Sequence, residues 1–174
     1  MYTQQELESL LDFMANSYVT TLPTQKKADN WEKEKERNLA IFAILIGTGA
    51  STQEVVNLTV RDIDMRKKGI WVVRNNEKQF IRFLPFTIPY IAPFVKERRG
   101  RWDLDPSIPS LFLTMLKKPM GRNTIGHLAK NIGHAYGKAI TPSILKDSHA
   151  SIVYKETGDI KKVAEIQGYS CLLY

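Results

Sequence analysis

Residues 46–64, IGTGASTQEVVNLTVRDID, follow an apolar run and end in Asp62-Ile63-Asp64. The run itself, residues 39–46, has no polar face, which predicts a buried helix that Thr48-Gly49-Ala50 terminates. Ser51 or Thr52 is then placed to cap a short third helix. The stretch therefore predicts two consecutive helices separated by a glycine turn.

The segment before this stretch predicts a helix and a loop. Thr3 and Glu6 have the spacing of a capping box, and leucines follow at helical intervals, which predicts a helix over 3–18. Residues 20–30 are polar and include a proline, which predicts a loop. The central helix is therefore expected to begin at Trp31.

The segment after the stretch predicts a β-hairpin followed by helices. Residues 69–74 and 79–85 are rich in β-branched and aromatic side chains, and Asn75-Asn76-Glu77-Lys78 separates them. Helix signals follow over 123–136, 142–154 and 160–166. We therefore predict an α+β fold, in which a single mainly helical domain over 1–174 contains a small antiparallel β-sheet.

Composition excludes several classes of protein. The chain has 174 residues, of which 43% are hydrophobic and 25% charged, so it is expected to be globular rather than disordered. Its longest apolar run is too short to cross a bilayer, and residues 1–6 lack the apolar core of a signal peptide. The single cysteine excludes an internal disulfide.

No cofactor and no metal site are expected. The sequence contains no glycine-rich phosphate loop. Its three histidines, His127, His134 and His149, do not have the spacing of metal ligands. We interpret each of them as an exposed or packed side chain.

The charge is unevenly distributed along the chain. The formal net charge is +7, with 12 basic and 11 acidic side chains in residues 1–87 but 13 and 7 in residues 88–174. A basic half favours a polyanionic partner, either nucleic acid or an anionic membrane surface, although solubility alone would also explain it.

Residues 46–64 resemble the first signature of the tyrosine recombinases, also called the phage integrase family. In that family a helix ends at Thr-Gly, a catalytic arginine follows, and Glu-(apolar)-x-x-Leu leads to a terminal Asp-Ile-Asp. A weakened second signature is TPSILKDSHA at 141–150, and GDI at 158–160 and IQGYS at 166–170 follow in the family order. The hairpin finish at 82–85 lies between the two signatures. The resemblance covers nearly the whole chain and implies the fold of the family's catalytic domain.

The resemblance also implies a chemistry. In family members a tyrosine hydroxyl attacks a DNA phosphodiester to give a covalent 3′-phosphotyrosyl intermediate, while two arginines hold the non-bridging oxygens. This chain has Ser51 and Lys146 at the arginine positions, and Ser143 and Tyr169 at the histidine and histidine-or-tryptophan positions. Serine has no charge and lysine lacks the bidentate fork of arginine. None of these catalytic positions is therefore expected to be intact.

Two further family positions have candidates. The hairpin lysine that protonates the leaving 5′-oxygen corresponds to Glu77 when residues are counted back from Pro85, and a slip of one residue would make it Lys78. Tyr174 is the candidate nucleophile, although it follows Tyr169 more closely than the family tyrosine follows its Gly-His motif.

These departures predict a DNA-binding domain of a recombinase-like or integrase-like protein that lacks strand-exchange activity. Its expected partner is double-stranded DNA. The candidate phosphate-binding residues flank the implied active site or lead into a helix N-terminus; they are Lys78, Lys117, Lys118, Arg122, Asn123, Thr124 and Lys146. We interpret the basic cluster at 96–101 as a favourable helix terminus instead.

Two alternatives stay open. The chain could be an active site-specific recombinase that uses Tyr174 or a tyrosine from a partner subunit, or a protein-interaction module on a recombinase fold. A recombinase paralogue or a second copy of the chain is a further expected partner, and no membrane association is expected. We also expect a cytoplasmic location, a mobile-element origin, and the absence of the DNA-clamping domain that precedes this one in family members.

Overall fold

A computed structural model describes residues 1–99 and 107–167. In this part of the chain the helices are α1 (Gln4–Asp12), α2 (Gln25–Thr48), α3 (Thr52–Val56), α4 (Ile88–Glu97), α5 (Arg122–Tyr136), α6 (Pro142–Thr157) and α7 (Ile160–Gln167). The strands are β1 (Ile63–Asp64), β2 (Gly69–Arg74) and β3 (Glu77–Arg82). The predicted α+β fold class is confirmed. The candidate positions Tyr169 and Tyr174 lie outside the described residues.

Helix α1 begins where the sequence predicts. The Thr3 hydroxyl accepts a hydrogen bond from the backbone N–H of Glu6 at 3.2 Å, and the three leucines of the helix are buried. A π turn over Phe13–Ser17 and a 3-10 turn over Tyr18–Thr21 continue the helical path. The predicted N-terminal helix is therefore confirmed, with irregular hydrogen bonding in its second half.

Helix α2 is the centre of the core. Every residue from Asn38 to Thr48 is buried, as expected of a segment without a polar face. The helix packs against α4 and α6 and also contacts α1 and α3. Gly49 terminates it in the left-handed region, at φ +67°, with its N–H donating to the carbonyl of Leu45.

The start of α2 differs from the prediction. The helix begins at Gln25 rather than Trp31, because the Thr24 hydroxyl accepts a hydrogen bond from the N–H of Lys27 at 3.2 Å. The predicted loop is therefore wrong after Thr24. The first turns of α2 are largely exposed, so they carry no apolar pattern that would have indicated a helix.

The sheet has the antiparallel order β1-β2-β3. Asn75-Asn76 join β2 to β3 with φ angles of 54° and 62°, as a two-residue type I′ turn requires, so the loop is shorter than the predicted four residues. Ile70 pairs with Ile81 on the buried face. Arg74 and Gln79 extend the same face toward the turn, because alternate residues of a strand share a face.

Candidate functional site

Ser51 lies at the N-terminus of α3. Its hydroxyl accepts a hydrogen bond from the N–H of Glu54 at 3.1 Å, and its own N–H donates to Glu54 Oε1 at 2.9 Å. This reciprocal pair is a capping box. The Ser51 side chain therefore stabilises the start of α3 and brings no charge to the site.

Arg74, the last residue of β2, forms a bidentate ion pair with Glu54. Its Nε donates to Glu54 Oε2 at 2.8 Å, and its Nη2 donates to Oε1 at 3.1 Å. The side chains are only 11% and 18% exposed, so solvent screens the pair little. Oε1 is also the oxygen that binds the N–H of Ser51, which places the guanidinium beside residue 51.

Lys146 is the second cation of this region. It lies half-buried on α6, and its positive charge acts on Glu54. Burial by itself would raise the pKa of Glu54, but the hydrogen bonds from Arg74 and Ser51, together with the charges of Arg74 and Lys146, lower it below its ordinary value. Glu54 is therefore ionised at neutral pH. Ser143 is exposed in the first turn of the same helix.

His149 lies one turn after Lys146 on α6. The imidazole is buried, and its Nδ1 has no hydrogen-bond partner among the described residues. Burial, and then the positive charge of Arg74, lower its pKa from 6.5 to about 4. The ring is therefore neutral at pH 7.

We call Ser51, Glu54, Arg74, Lys146 and His149 the Arg74 cluster. It combines two cations, one carboxylate and a neutral imidazole, so its net charge at pH 7 is positive. It is built from α3, β2 and α6, and such a cationic, partly dehydrated cluster attracts an anionic group.

The hairpin also holds the last turn of α7. Arg74 Nη1 donates to the carbonyl of Ile166, and Gln79 Nε2 donates to that of Glu165 at 3.0 Å. The last carbonyls of a helix lack intrahelical partners and carry partial negative charge, so a cation there is favourable. Arg74 therefore joins α3 and α7 through one side chain.

Lys78 does not lie with the Arg74 cluster. It pairs with Val73 across the hairpin, which puts both side chains on the face opposite to Arg74. Its side chain is 68% exposed, and its Nζ is 4.0 Å from Asp62 Oδ1.

The other candidate phosphate-binding residues form an exposed basic surface before and within the first turn of α5. We call this surface the α5 entrance; it comprises Lys117, Lys118, Arg122, Asn123 and Thr124, all exposed. Gly121, the N-cap, has no side chain to bond the first N–H groups of the helix. A cleft separates this surface from α3, with Gln53 and Asn57 on the α3 side and Arg122 on the other. The α5 entrance therefore adjoins the helix that Ser51 caps.

Two arginines of the basic cluster at 96–101, Arg98 and Arg99, bind other segments of the protein. Lys96 lies in the last turn of α4, as the helix-terminus interpretation expects. Arg98, however, is buried, and Arg99 donates to the carbonyl of Ile63 at 2.8 Å. Arg98 donates to the carbonyls of Ile108, Ser110 and Leu111 at 2.9, 2.7 and 3.3 Å. These arginines therefore hold neighbouring segments together; Gly100 and Arg101 lie outside the described residues.

Within residues 1–99 and 107–167, no group of three or more histidine, cysteine, aspartate or glutamate side chains is placed to bind a metal ion. Nor does this part of the chain contain a helix of the length and apolarity needed to cross a membrane. His127 and His134 are exposed on α5.

The model of the phage integrase family matches residues 1–172. The chain belongs to the phage integrase family. This confirms the resemblance that the two signatures at 46–64 and 141–150 indicate.

Curated relatives of this phage integrase family chain are tyrosine recombinases. It is 27% identical over 161 residues to tyrosine recombinase XerS of Streptococcus thermophilus, a match that covers 90% of this chain and 45% of the relative. It is 24% identical over 174 residues to XerS of Lactococcus lactis subsp. cremoris, covering 98% and 49%. The chain thus spans about half the length of the curated relatives it matches.

Solved structures share its fold. The XerA recombinase superimposes with a TM-score of 0.75 at 22% identity, covering 98% of this chain and 55% of that one. The Tn1549 transposon integrase in complex with circular intermediate DNA gives a TM-score of 0.70 at 20% identity, covering 97% and 58%. The XerH site-specific recombinase bound to difH substrate gives 0.73 at 16% identity, covering 97% and 47%.

Three members of the Arg74 cluster were not selected from the sequence of this integrase-family chain. Glu54 carried a signal, because it lies three residues after Ser51 and completes a capping box. Arg74 carried a weaker one, since strand alternation puts it on the same face as buried Val72, where a cation needs a partner. No local pattern indicates the contacts of His149.

Proposed function

We propose that this chain is a DNA-binding domain of a phage integrase family protein, acting in DNA recombination or integration without exchanging strands itself. It would bind the phosphate backbone of duplex DNA at the Arg74 cluster and the α5 entrance. Both regions are cationic, and phosphate contacts need positive charge on one surface rather than a complete catalytic site.

The proposal that the chain does not exchange strands rests on the role of Ser51. Its hydroxyl is occupied in capping α3, and it offers no charge to a pentavalent phosphate. At the other arginine position the ammonium of Lys146 keeps a charge but not a planar fork. Loss of one charged donor at such a transition state costs a factor of about 10²–10³ in rate.

Double-stranded DNA as the partner is supported by two further observations. The net positive charge of the chain is concentrated in residues 88–174, which include Lys146 and the α5 entrance. Structures with the same fold include the Tn1549 integrase with circular intermediate DNA and XerH with difH.

Duplex affinity across a salt series tests the DNA-binding part. We expect the logarithm of the binding constant to fall linearly with the logarithm of salt concentration between about 50 and 200 mM, by about 0.9 per phosphate neutralised. Absence of binding at the low-salt end, or binding that ignores salt, would overturn it and favour the protein-interaction module.

A nicked suicide substrate tests the proposed lack of strand exchange. With such a duplex, a strand-transferring enzyme accumulates a covalent protein–DNA adduct, and we expect none here. An adduct that disappears in Tyr174→Phe or in Tyr169→Phe would instead establish an active recombinase.

A further inference from the structure

The guanidinium of Arg74 keeps unused hydrogen-bonding capacity. An arginine has five N–H donors, one on Nε and two on each Nη. Partners among the described residues take one from each nitrogen: Glu54 Oε2 binds Nε, Glu54 Oε1 binds Nη2, and the Ile166 carbonyl binds Nη1. One N–H group therefore remains on each Nη, and each can donate to a further oxyanion.

The charges around Arg74 favour the binding of an anion. Glu54 is the carboxylate that faces Arg74, and Lys146 acts on the same carboxylate from α6. Both cations thus act on the same carboxylate. A phosphodiester, which carries a single negative charge, would be attracted to this positively charged region.

The position of Arg74 is as informative as its charge. Ser51, at the start of α3, shares one carboxylate oxygen of Glu54 with the guanidinium, at 2.9 Å for its N–H and 3.1 Å for Nη2. A cation is therefore present beside residue 51, although it is supplied from the end of β2, twenty-three residues later in the sequence.

We propose that Arg74 is a phosphate-binding residue of this domain, which receives one backbone phosphate of duplex DNA together with Lys146. This inference rests on the proposed DNA binding and names the guanidinium that carries it. The ion pair with Glu54 and the bond to Ile166 hold the group in place before DNA arrives, so little side-chain entropy is lost on binding.

The competing explanation is that Arg74 only clamps the hairpin to α3 and α7. The two explanations predict different effects on DNA binding. A clamp affects the folded state and its stability, whereas a phosphate ligand also sets the salt dependence of DNA binding.

The test compares duplex affinity across a salt series for the wild-type chain, Arg74→Gln and Arg74→Lys. A double variant, Arg74→Gln with Ser51→Arg, returns a guanidinium to the same place from α3. The matched control is Arg82→Gln, which removes the same charge from the exposed face of the neighbouring strand. Circular dichroism and thermal melting establish which variants fold.

For Arg74→Gln we expect an affinity about tenfold lower and a salt slope smaller by about 0.9, one phosphate contact. Arg74→Lys should keep the slope but bind several-fold more weakly, because it keeps the charge and loses the fork. The double variant should recover the wild-type salt slope. Arg82→Gln should have the same slope as the wild type.

A folded Arg74→Gln that binds DNA with the wild-type slope would overturn the inference and leave the proposed function standing. If Arg74→Gln does not fold, Arg74→Lys decides: weaker binding by a chain that melts at the wild-type temperature supports the inference, whereas wild-type affinity, or weaker binding that only accompanies lower stability, overturns it. If the wild-type chain does not bind DNA, both the inference and the proposed function are overturned. The wild-type measurement by itself shows this outcome.

Discussion

Gly49 and His149 are in direct contact where α2 ends against α6. A Cβ atom placed on Gly49 would lie 2.6 Å from His149 Nδ1, closer than carbon and nitrogen approach without a bond. Gly49 also has φ +67°, a conformation that side chains of L-amino acids rarely adopt. The glycine is therefore required both by its backbone conformation and by the ring packed against it.

Gly49→Ala should be strongly destabilising. The left-handed conformation costs about 1–2 kcal/mol with a Cβ present, and the overlap with His149 adds about 1–3 kcal/mol. Urea unfolding should show a total loss of about 3 kcal/mol.

The matched control for this change is Gly158→Ala. Gly158 also terminates a helix, at φ +65°, but a Cβ there would meet nothing within 4 Å. Gly158→Ala should therefore lose only the free energy that the left-handed backbone conformation costs, about 1–2 kcal/mol. Equal losses in the two variants would show that the contact with His149 does not matter.

Stability should fall between pH 7 and pH 5 because of His149. Its pKa is about 4 in the folded chain and 6.5 in a model peptide, so the unfolded chain binds the extra proton first. Protonation therefore favours unfolding as the pH falls below 6.5, and the effect is complete near pH 4. The expected loss from pH 7 to pH 5 is about 2 kcal/mol.

His149→Leu should remove this part of the pH dependence. His127→Gln, which changes an exposed histidine of α5, should retain it. Free energies of unfolding measured at several pH values check both. A His149→Leu chain that loses stability as steeply as wild type over this range would contradict the assignment.

Arg98→Met should destabilise the chain by about 3 kcal/mol. The methionine occupies a similar volume but leaves the carbonyls of Ile108, Ser110 and Leu111 without their donor. Lys96→Met, at an exposed position of α4, is the control and should change stability little. Equal effects of the two changes in urea unfolding would exclude the proposed role of Arg98.

Lys118→Gln and Arg122→Gln should each weaken duplex DNA binding uniformly across sequences. Each removes one exposed cation of the α5 entrance, and each should reduce the salt slope by about 0.9. Lys161→Gln, on the exposed side of α7, is the matched charge control and should leave the slope unchanged. A similar reduction in all three would indicate attraction by net charge rather than contact at this surface.

The sequence predicted those elements whose signals are local. The capping box of Thr3 and Glu6, the buried apolar run ending at Gly49 and the asparagine turn of the hairpin each form from neighbouring residues. The start of α2 was missed because its cap lies in a polar stretch that also resembles a loop.

The sequence predicted only part of the candidate site, because its signals are local. Ser51 and Lys146 were identified from their motifs, and the structure relates both to Glu54. Lys78 was placed in the same region, but strand alternation puts it on the other face of the hairpin from Arg74.

The sequence by itself determined the fold class, the family and the absence of an arginine at position 51, because caps, turns and signatures are short-range patterns. Only the tertiary structure decided that a guanidinium nevertheless lies beside that position. Arg74 bonds to residues 20 and 92 positions away in the chain. Burial makes such contacts obligatory for a charged side chain, but which partner satisfies it depends on how the helices and the hairpin pack.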